Sequence, residues 1–237
     1  MPDGLANKDG TFYGSAMNPL SRLLPQGPAP RPVWPLPGGL GLGLARGRVH
    51  EVCGPARWTL AAMLMAMGQG AVIWIAPGWQ GERLNAPGLC VFADPGRVIF
   101  ATGRRPEDLL WAAEEALRSG TVPLVLVDLP DPPALTPVRR LHLAAEAGAE
   151  AARNHGAPPP LGVLMTPGTG GAQGVESRWH LAPAPSRSLL HEHQSAWTLA
   201  RLRARMEPPA RWTLTTGSGG TFTAQREATG PGSDPLA

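Results

Sequence analysis

The sequence predicts an α/β fold, a three-layer sandwich built on a mainly parallel sheet. Three observations predict it. Strand and helix signals alternate through residues 48–166, the pattern of consecutive βαβ units. Several strand segments, among them residues 71–76 and 122–127, are continuously apolar, as strands covered on both faces are. Residues 177–181, 196–202 and 211–215 then follow with no helix signal between them, which predicts antiparallel strands added at the C-terminal edge.

Residues 48–53 form a first strand stopped by Gly54-Pro55. Residues 58–67 are strong helix formers, apolar on nearly every face, so that helix must be buried. Gly68-Gln69-Gly70 breaks it before the strand at 71–76. Residues 77–95, dense in Gly, Pro, Asn and Asp, predict a long connection with one helical turn, and 97–101 a third strand. Residues 106–119 give the clearest helix: Pro106 suits its first position, Glu107 and Asp108 its positive end, and Gly120 its stop. Leu109, Ala113, Ala116 and Leu117 share the face that meets a sheet, and Glu114-Glu115 are expected on the charged outer face. A buried strand at 122–127 ends in Asp128, Thr136 caps a helix with Pro137 at its first position, and residues 161–165 add a further strand.

Composition sets the domain plan. The chain has 237 residues, 43% of them hydrophobic and 16% charged, enough for one full-sized core and too little charge for wholesale disorder. With 30 glycines and 28 prolines, their distribution decides where order ends. Residues 1–45 are Pro/Gly-rich and predict a flexible extension, residues 46–215 the core, and residues 216–237 a disordered tail. The net charge is +3, carried almost wholly by arginine with Lys8 as the single lysine, and permits contact with nucleic acid or an acidic partner without requiring it. Cys53 and Cys90 are too few for a disulfide scaffold and lack zinc spacing, so a reducing cytoplasm is the expected compartment. No secretory signal stands at the start, and residues 60–76 are interrupted too soon to cross a membrane.

A turn from the first strand into a buried helix is where α/β proteins build phosphate sites, because backbone N–H groups converge there. A full nucleotide loop needs G-x-x-x-x-G-K-[ST]. Counted from Gly54, those last three places hold Thr59, Leu60 and Ala61. Shifting the frame so that Thr59 supplies the hydroxyl puts Trp58 in the lysine place and Arg57 in the glycine place. The loop is too short. Gly54, Arg57, Thr59 and Asp128 therefore read as a vestigial nucleotide site. Arg57 is its one cation, and Asp128 stands where a magnesium-linked carboxylate would sit, or else caps the turn at 129–133. His142, His155, His180, His191 and His193 lack H-E-x-x-H spacing, although His191-Glu192-His193 could chelate in principle. No G-x-S-x-G elbow occurs. No metal, cofactor or catalytic residue is assigned, and an enzyme is not expected.

The arginine-rich region offers binding instead. Arg178, Arg187, Arg201, Arg203, Arg205 and Arg211 lie between positions 178 and 211, with Trp179, Trp197 and Trp212 among them. Arginine and tryptophan anchor protein interfaces and also engage DNA backbone and stacked bases. Arg178, Trp179, Arg201, Arg203, Arg205 and Trp212 are the contact candidates, set against the plainer pattern of edge strands with tryptophans inward and arginines in water.

The runs Gly47-Arg48-Val49-His50-Glu51-Val52-Cys53-Gly54, Pro87-Gly88-Leu89, Asp94-Pro95-Gly96-Arg97-Val98-Ile99-Phe100 and Leu110-Trp111-Ala112-Ala113-Glu114-Glu115-Ala116-Leu117-Arg118-Ser119-Gly120 resemble the ImuA family. So do Arg139-Arg140-Leu141-His142-Leu143-Ala144-Ala145-Glu146 and Ser177-Arg178-Trp179, and the resemblance runs in order over residues 46–215. It implies a core of RecA type, that is, of the P-loop NTPase class, here with a degenerate nucleotide loop. It implies an accessory role in SOS mutagenesis and translesion synthesis after DNA damage. The implied partners are an ImuB-type inactive relative of lesion-bypass polymerases and, through it, an error-prone replicative-type DNA polymerase, with RecA and DNA as further contacts. Two other readings stay open at this stage: a SulA-like cell-division inhibitor and a RecA-like ATP- and DNA-binding protein.

Overall fold

The computed structural model describes residues 31–81, 84–185, 195–205, 207–217 and 221–227. Nine strands form one sheet, in the order β11-β10-β9-β8-β3-β7-β6-β4-β5. The strands are β3 (Val49–Cys53), β4 (Val72–Pro77), β5 (Val98–Gly103), β6 (Leu124–Asp128), β7 (Leu161–Thr166), β8 (Ser177–Ala184), β9 (Ala196–Ala204), β10 (Ala210–Thr216) and β11 (Phe222–Arg226). From β8 to β5 every pairing is parallel, and the pairings beyond β8 are antiparallel. The chain is thus α/β with a large, mostly parallel sheet and antiparallel strands at its C-terminal end. One expectation shifts: β8 belongs to the parallel set, because the connection from β7 crosses over β3 and delivers β8 alongside it.

Both sheet faces are covered, which is why the central strands carry apolar residues in both parities. On one face α1 (Arg57–Ala66) packs Leu60, Met63 and Leu64 against Val52, Leu126, Val163 and Trp179. On the other, α3 (Pro106–Ser119) and α4 (Leu135–Asn154) lay Leu109, Ala113, Leu117, Val138 and Leu141 on Val49, Ile75, Val125 and Leu164. The bounds of α3 match the sequence reading because its ends are chemically marked. Asp108 accepts the N–H groups of Arg104 and Arg105 at 3.2 and 3.1 Å, and Gly120 turns out of the helix at φ 66°. The α4 start is corrected: it opens at Leu135 with Ala134 as N-cap and no side-chain cap, so Thr136 lies inside the first turn. A single turn, α2 (Ala86–Leu89), interrupts the long connection after β4.

The domain limits also move. Within the span read as a flexible extension, β1 (Val33–Pro35) and β2 (Gly43–Ala45) form an antiparallel hairpin. Its Trp34, Leu36 and Leu44 are buried in the α1-side core. Pro35 and Pro37 do not prevent this, because a two-stranded ribbon leaves each strand an unpaired edge that needs no N–H. Residues 1–30 lie outside the described residues. Within the span read as a disordered tail, β11 pairs with β10 over Trp212↔Arg226 to Thr216↔Phe222, and Phe222 stacks on Phe92 with ring centroids 6.1 Å apart.

Candidate functional site

The C-terminal ends of the parallel strands are where α/β sheets bind ligands, and the four vestigial-site residues gather there. Three residues, Gly54, Pro55 and Ala56, join β3 to α1. Two of the donors that would cradle a phosphate are engaged within the protein. Ala56 N–H donates to the Leu181 carbonyl of β8 at 3.1 Å, Arg57 N–H donates back to Gly54 at 3.2 Å, and Pro55 has none. Gly54 sits at φ 96° and is pressed so closely on β8 that a Cβ would lie 2.5 Å from the Leu181 oxygen. Only a glycine fits.

Arg57 does not project into an open cradle. Its Nε lies 3.5 Å from Asp128 Oδ1, and Asp128 is only 3% exposed at the end of β6. The arginine that takes the glycine place of a nucleotide loop thus neutralises the carboxylate that would hold magnesium. Beside it, Leu129 N–H, the first of the turn at 129–133, donates to the Met165 carbonyl at 2.9 Å. Thr59 is half-buried on the first turn of α1. Trp58 stands edge-on to Trp74, with ring centroids 6.2 Å apart and planes at 84°, and puts an indole where a phosphate-binding ammonium would be.

Four of the six contact candidates are structural instead. Trp179 and Trp212 are buried with ring centroids 5.7 Å apart and planes tilted by 31°, and the Arg201 guanidinium lies 5.6 and 5.4 Å from their ring centres. Arg201 is 5% exposed; its Nε donates to Pro208 O at 3.1 Å and its Nη1 pairs with Glu207. Burial lowers its pKa, with Arg226 adding to the effect. The cause is cross-strand register: Trp179 and Ala210 both face Arg201, so it lies on the inward face of β9. Arg178 turns to Glu51 and to the Ala172 carbonyl. Arg203 and Arg205 are exposed and remain available. Arg187 and His191-Glu192-His193 lie outside the described residues.

Glu51 is the residue the sequence reading missed. It is 0% exposed in the middle of β3, and its carboxylate accepts Thr166 Oγ1 at 2.6 Å, Gly171 N at 2.8 Å and Ala172 N at 3.1 Å, besides pairing with Arg178. It thereby pins the glycine-rich crossover at 167–174 onto β3. The available signal was one acid in an otherwise buried strand, since such a charge must be paired. Glu114 is a second correction: it is buried between α3 and α4, where Arg140 Nη2 reaches it at 2.7 Å and Arg118 at 2.5 Å.

Burial shifts two further polar groups towards their neutral forms. Burial, with Glu51 nearby, pushes the Cys53 thiol up to about 12. His50 lies between Ser177 Oγ at 2.6 Å and the Ala45 carbonyl at 3.1 Å, and burial pushes its pKa down to about 4 from 6.5. Nε2 donates to Ala45, so Nδ1 accepts from the serine. The unfolded chain therefore binds this proton more readily than the folded one. Stability from His50 is complete above pH 6.5 and falls towards pH 4, by about 3 kcal/mol in all. His142 and His180 are lowered by burial too and act in the same direction. Urea titrations of wild type and His50→Gln across this range should show a shallower pH dependence in the variant; parallel curves would contradict the assignment.

Among the described residues no group of three His, Cys, Asp or Glu side chains could hold a metal ion, and no helix is long and apolar enough to cross a membrane. Compared with family models and with curated proteins, the chain matches none.

Proposed function

We propose that this chain is a non-catalytic accessory protein of SOS mutagenesis and translesion synthesis after DNA damage, with a RecA-type core that works by docking to an ImuB-type polymerase-like partner in the cytoplasm. The resemblance over residues 46–215 supplies the role, and the topology fits it: a strand opening through a glycine turn into a buried helix, in a mainly parallel sheet with antiparallel strands at one end. The observation that carries the non-catalytic part is the closed turn. Ala56 and Arg57 have spent their N–H groups on the protein itself, and Arg57 faces Asp128. A fold that has lost a ligand site keeps the surfaces through which it packs with neighbours. Docking then replaces catalysis.

The test is association of the full chain with an ImuB-type protein, together with the frequency of damage-induced mutation in cells lacking this chain. Association and a fall in induced mutation are expected. Filamentous cells on overexpression, with mutation frequency unchanged, would favour the division-inhibitor reading instead. Arg203→Glu with Arg205→Glu should weaken association less than tenfold and make it less salt-sensitive, as rim charges do. Unchanged affinity and salt dependence would remove these arginines from the interface.

A further inference from the structure

The sheet ends at β5, and among the described residues nothing pairs with its outer side. Ile99 and Phe100 are 53% and 60% exposed there, with Thr102 exposed beside them. Main-chain groups alternate in direction along a strand. Gly78 N–H donates to the Gly103 carbonyl at 2.9 Å on the β4 side, so Ile99, Ala101 and Gly103 turn their main chain to β4, and Val98, Phe100 and Thr102 turn theirs outward. Val98 N–H is used on the Pro95 carbonyl; the other outward groups form an open row. Edge strands are usually guarded by charge, proline or a bulge. Residues 98–103 carry none of these, and their register with β4 is unbroken from Val72↔Val98 to Pro77↔Gly103. The edge is apolar on both faces: Phe100 lies on the α1 side, where it pairs with Trp74, and Ile99 lies with Ala101 on the α3 side.

An unguarded strand edge is a template for another strand. We propose that this strand is β5 of a second copy of the chain, the two edges meeting antiparallel about a two-fold axis at Phe100. Two-fold symmetry brings identical strands together antiparallel, and this edge is complementary to itself in that arrangement. With Phe100 opposite Phe100, the two residues exchange both main-chain bonds, and each Thr102 N–H meets the Val98 carbonyl of the other copy. The same register covers both exposed side chains. The phenylalanines pair across the axis on the α1 side, and each Ile99 meets Ala101 of the other copy on the α3 side. Like charges also stay apart: Arg97 falls opposite Gly103 and Arg104 opposite Gly96, and the Arg97 side chain is turned inward to the Gly70 and Met65 carbonyls. Edges of six residues bury less than the about 1,000 Å² that a stable specific interface clears, so the dimer is weak and forms with rising concentration. It does not depend on the docking role.

Sedimentation equilibrium of the full chain from micromolar to millimolar concentration tests this, and a monomer–dimer equilibrium is expected. Thr102→Pro removes an outward N–H and leaves the β4 ladder whole; Phe100→Lys sets two ammonium groups face to face at the axis. Each should raise the dimer dissociation constant more than tenfold at an unchanged urea midpoint, with Leu143→Asp, on α4 at a leucine 65% exposed, near wild type. If one of the two edge variants does not fold, the other decides. A chain that stays monomeric throughout, or a dimer that the folded edge variants leave intact, would overturn the proposal. The register has its own check. In a Cys90→Ser background, with Cys53 buried, a short bis-maleimide should join Phe100→Cys to its copy and leave Leu143→Cys single; no crosslink at position 100, or equal yields at both, would overturn it. Neither measurement involves a polymerase-like protein, so the docking role stands or falls separately.

Discussion

Glu51→Ala should cost about 3–5 kcal/mol, the loss typical when one member of a buried ion pair is removed. The effect has three sources. Arg178 would keep its charge with only the Ala172 carbonyl and partial solvent in place of a carboxylate. Thr166 Oγ1 and the N–H groups of Gly171 and Ala172 would lose their acceptor inside the fold. The crossover at 167–174, which lies over β3 and carries the chain to β8, would lose its tie to the sheet. Because a domain of this size is stable by only about 5–15 kcal/mol, the variant should be close to unfolding. Glu51→Gln, which keeps the shape but presents an amide N–H₂ to backbone donors, should fall between. Urea unfolding midpoints check both; an alanine variant within about 1 kcal/mol of wild type would show that the pair is dispensable.

The second large effect is expected at Trp34, in the span that composition alone would leave flexible. Its indole is fully buried, its Nε1 donates to the Leu64 carbonyl of α1 at 2.8 Å, and the Arg46 guanidinium lies 4.4 Å above the ring. Gly68 is there to admit it, since a Cβ at that position would come within 2.1 Å of the indole. Trp34→Ala should therefore cost about 3–5 kcal/mol, as large-to-small changes of buried aromatics do. Gly68→Val should be damaging for the opposite reason, a collision with the same ring. If Trp34→Ala unfolds at the wild-type urea concentration, the hairpin is an ornament and the core begins at β3.

These two residues show where the sequence was legible and where it was not. The βαβ order and the bounds of α3 could be read because their signals are local: a Pro at the first turn, acids beside it, a Gly at the end. The short loop after Gly54 was readable too, because counting residues needs no partner. Trp34 was hidden because its contacts lie 30 residues away, and the prolines around it mask a strand that needs no central ladder. Glu51, Arg178 and Arg201 were hidden for a related reason. Whether an arginine in a strand faces water or a tryptophan depends on which strand lies beside it, and Trp179, Arg201 and Trp212 meet only through the β8, β9 and β10 register. The pairing of Arg57 with Asp128 likewise joins β6 to the start of α1, two strands apart in the sheet.

The non-catalytic proposal depends on the turn at 54–57, whose Ala56 and Arg57 N–H groups are engaged within the protein. Calorimetric titration of the full chain with ATP and magnesium tests this most directly. No saturable heat is predicted up to millimolar nucleotide, for wild type and Asp128→Asn alike. Saturable binding at micromolar ATP, lost in Asp128→Asn, would contradict it.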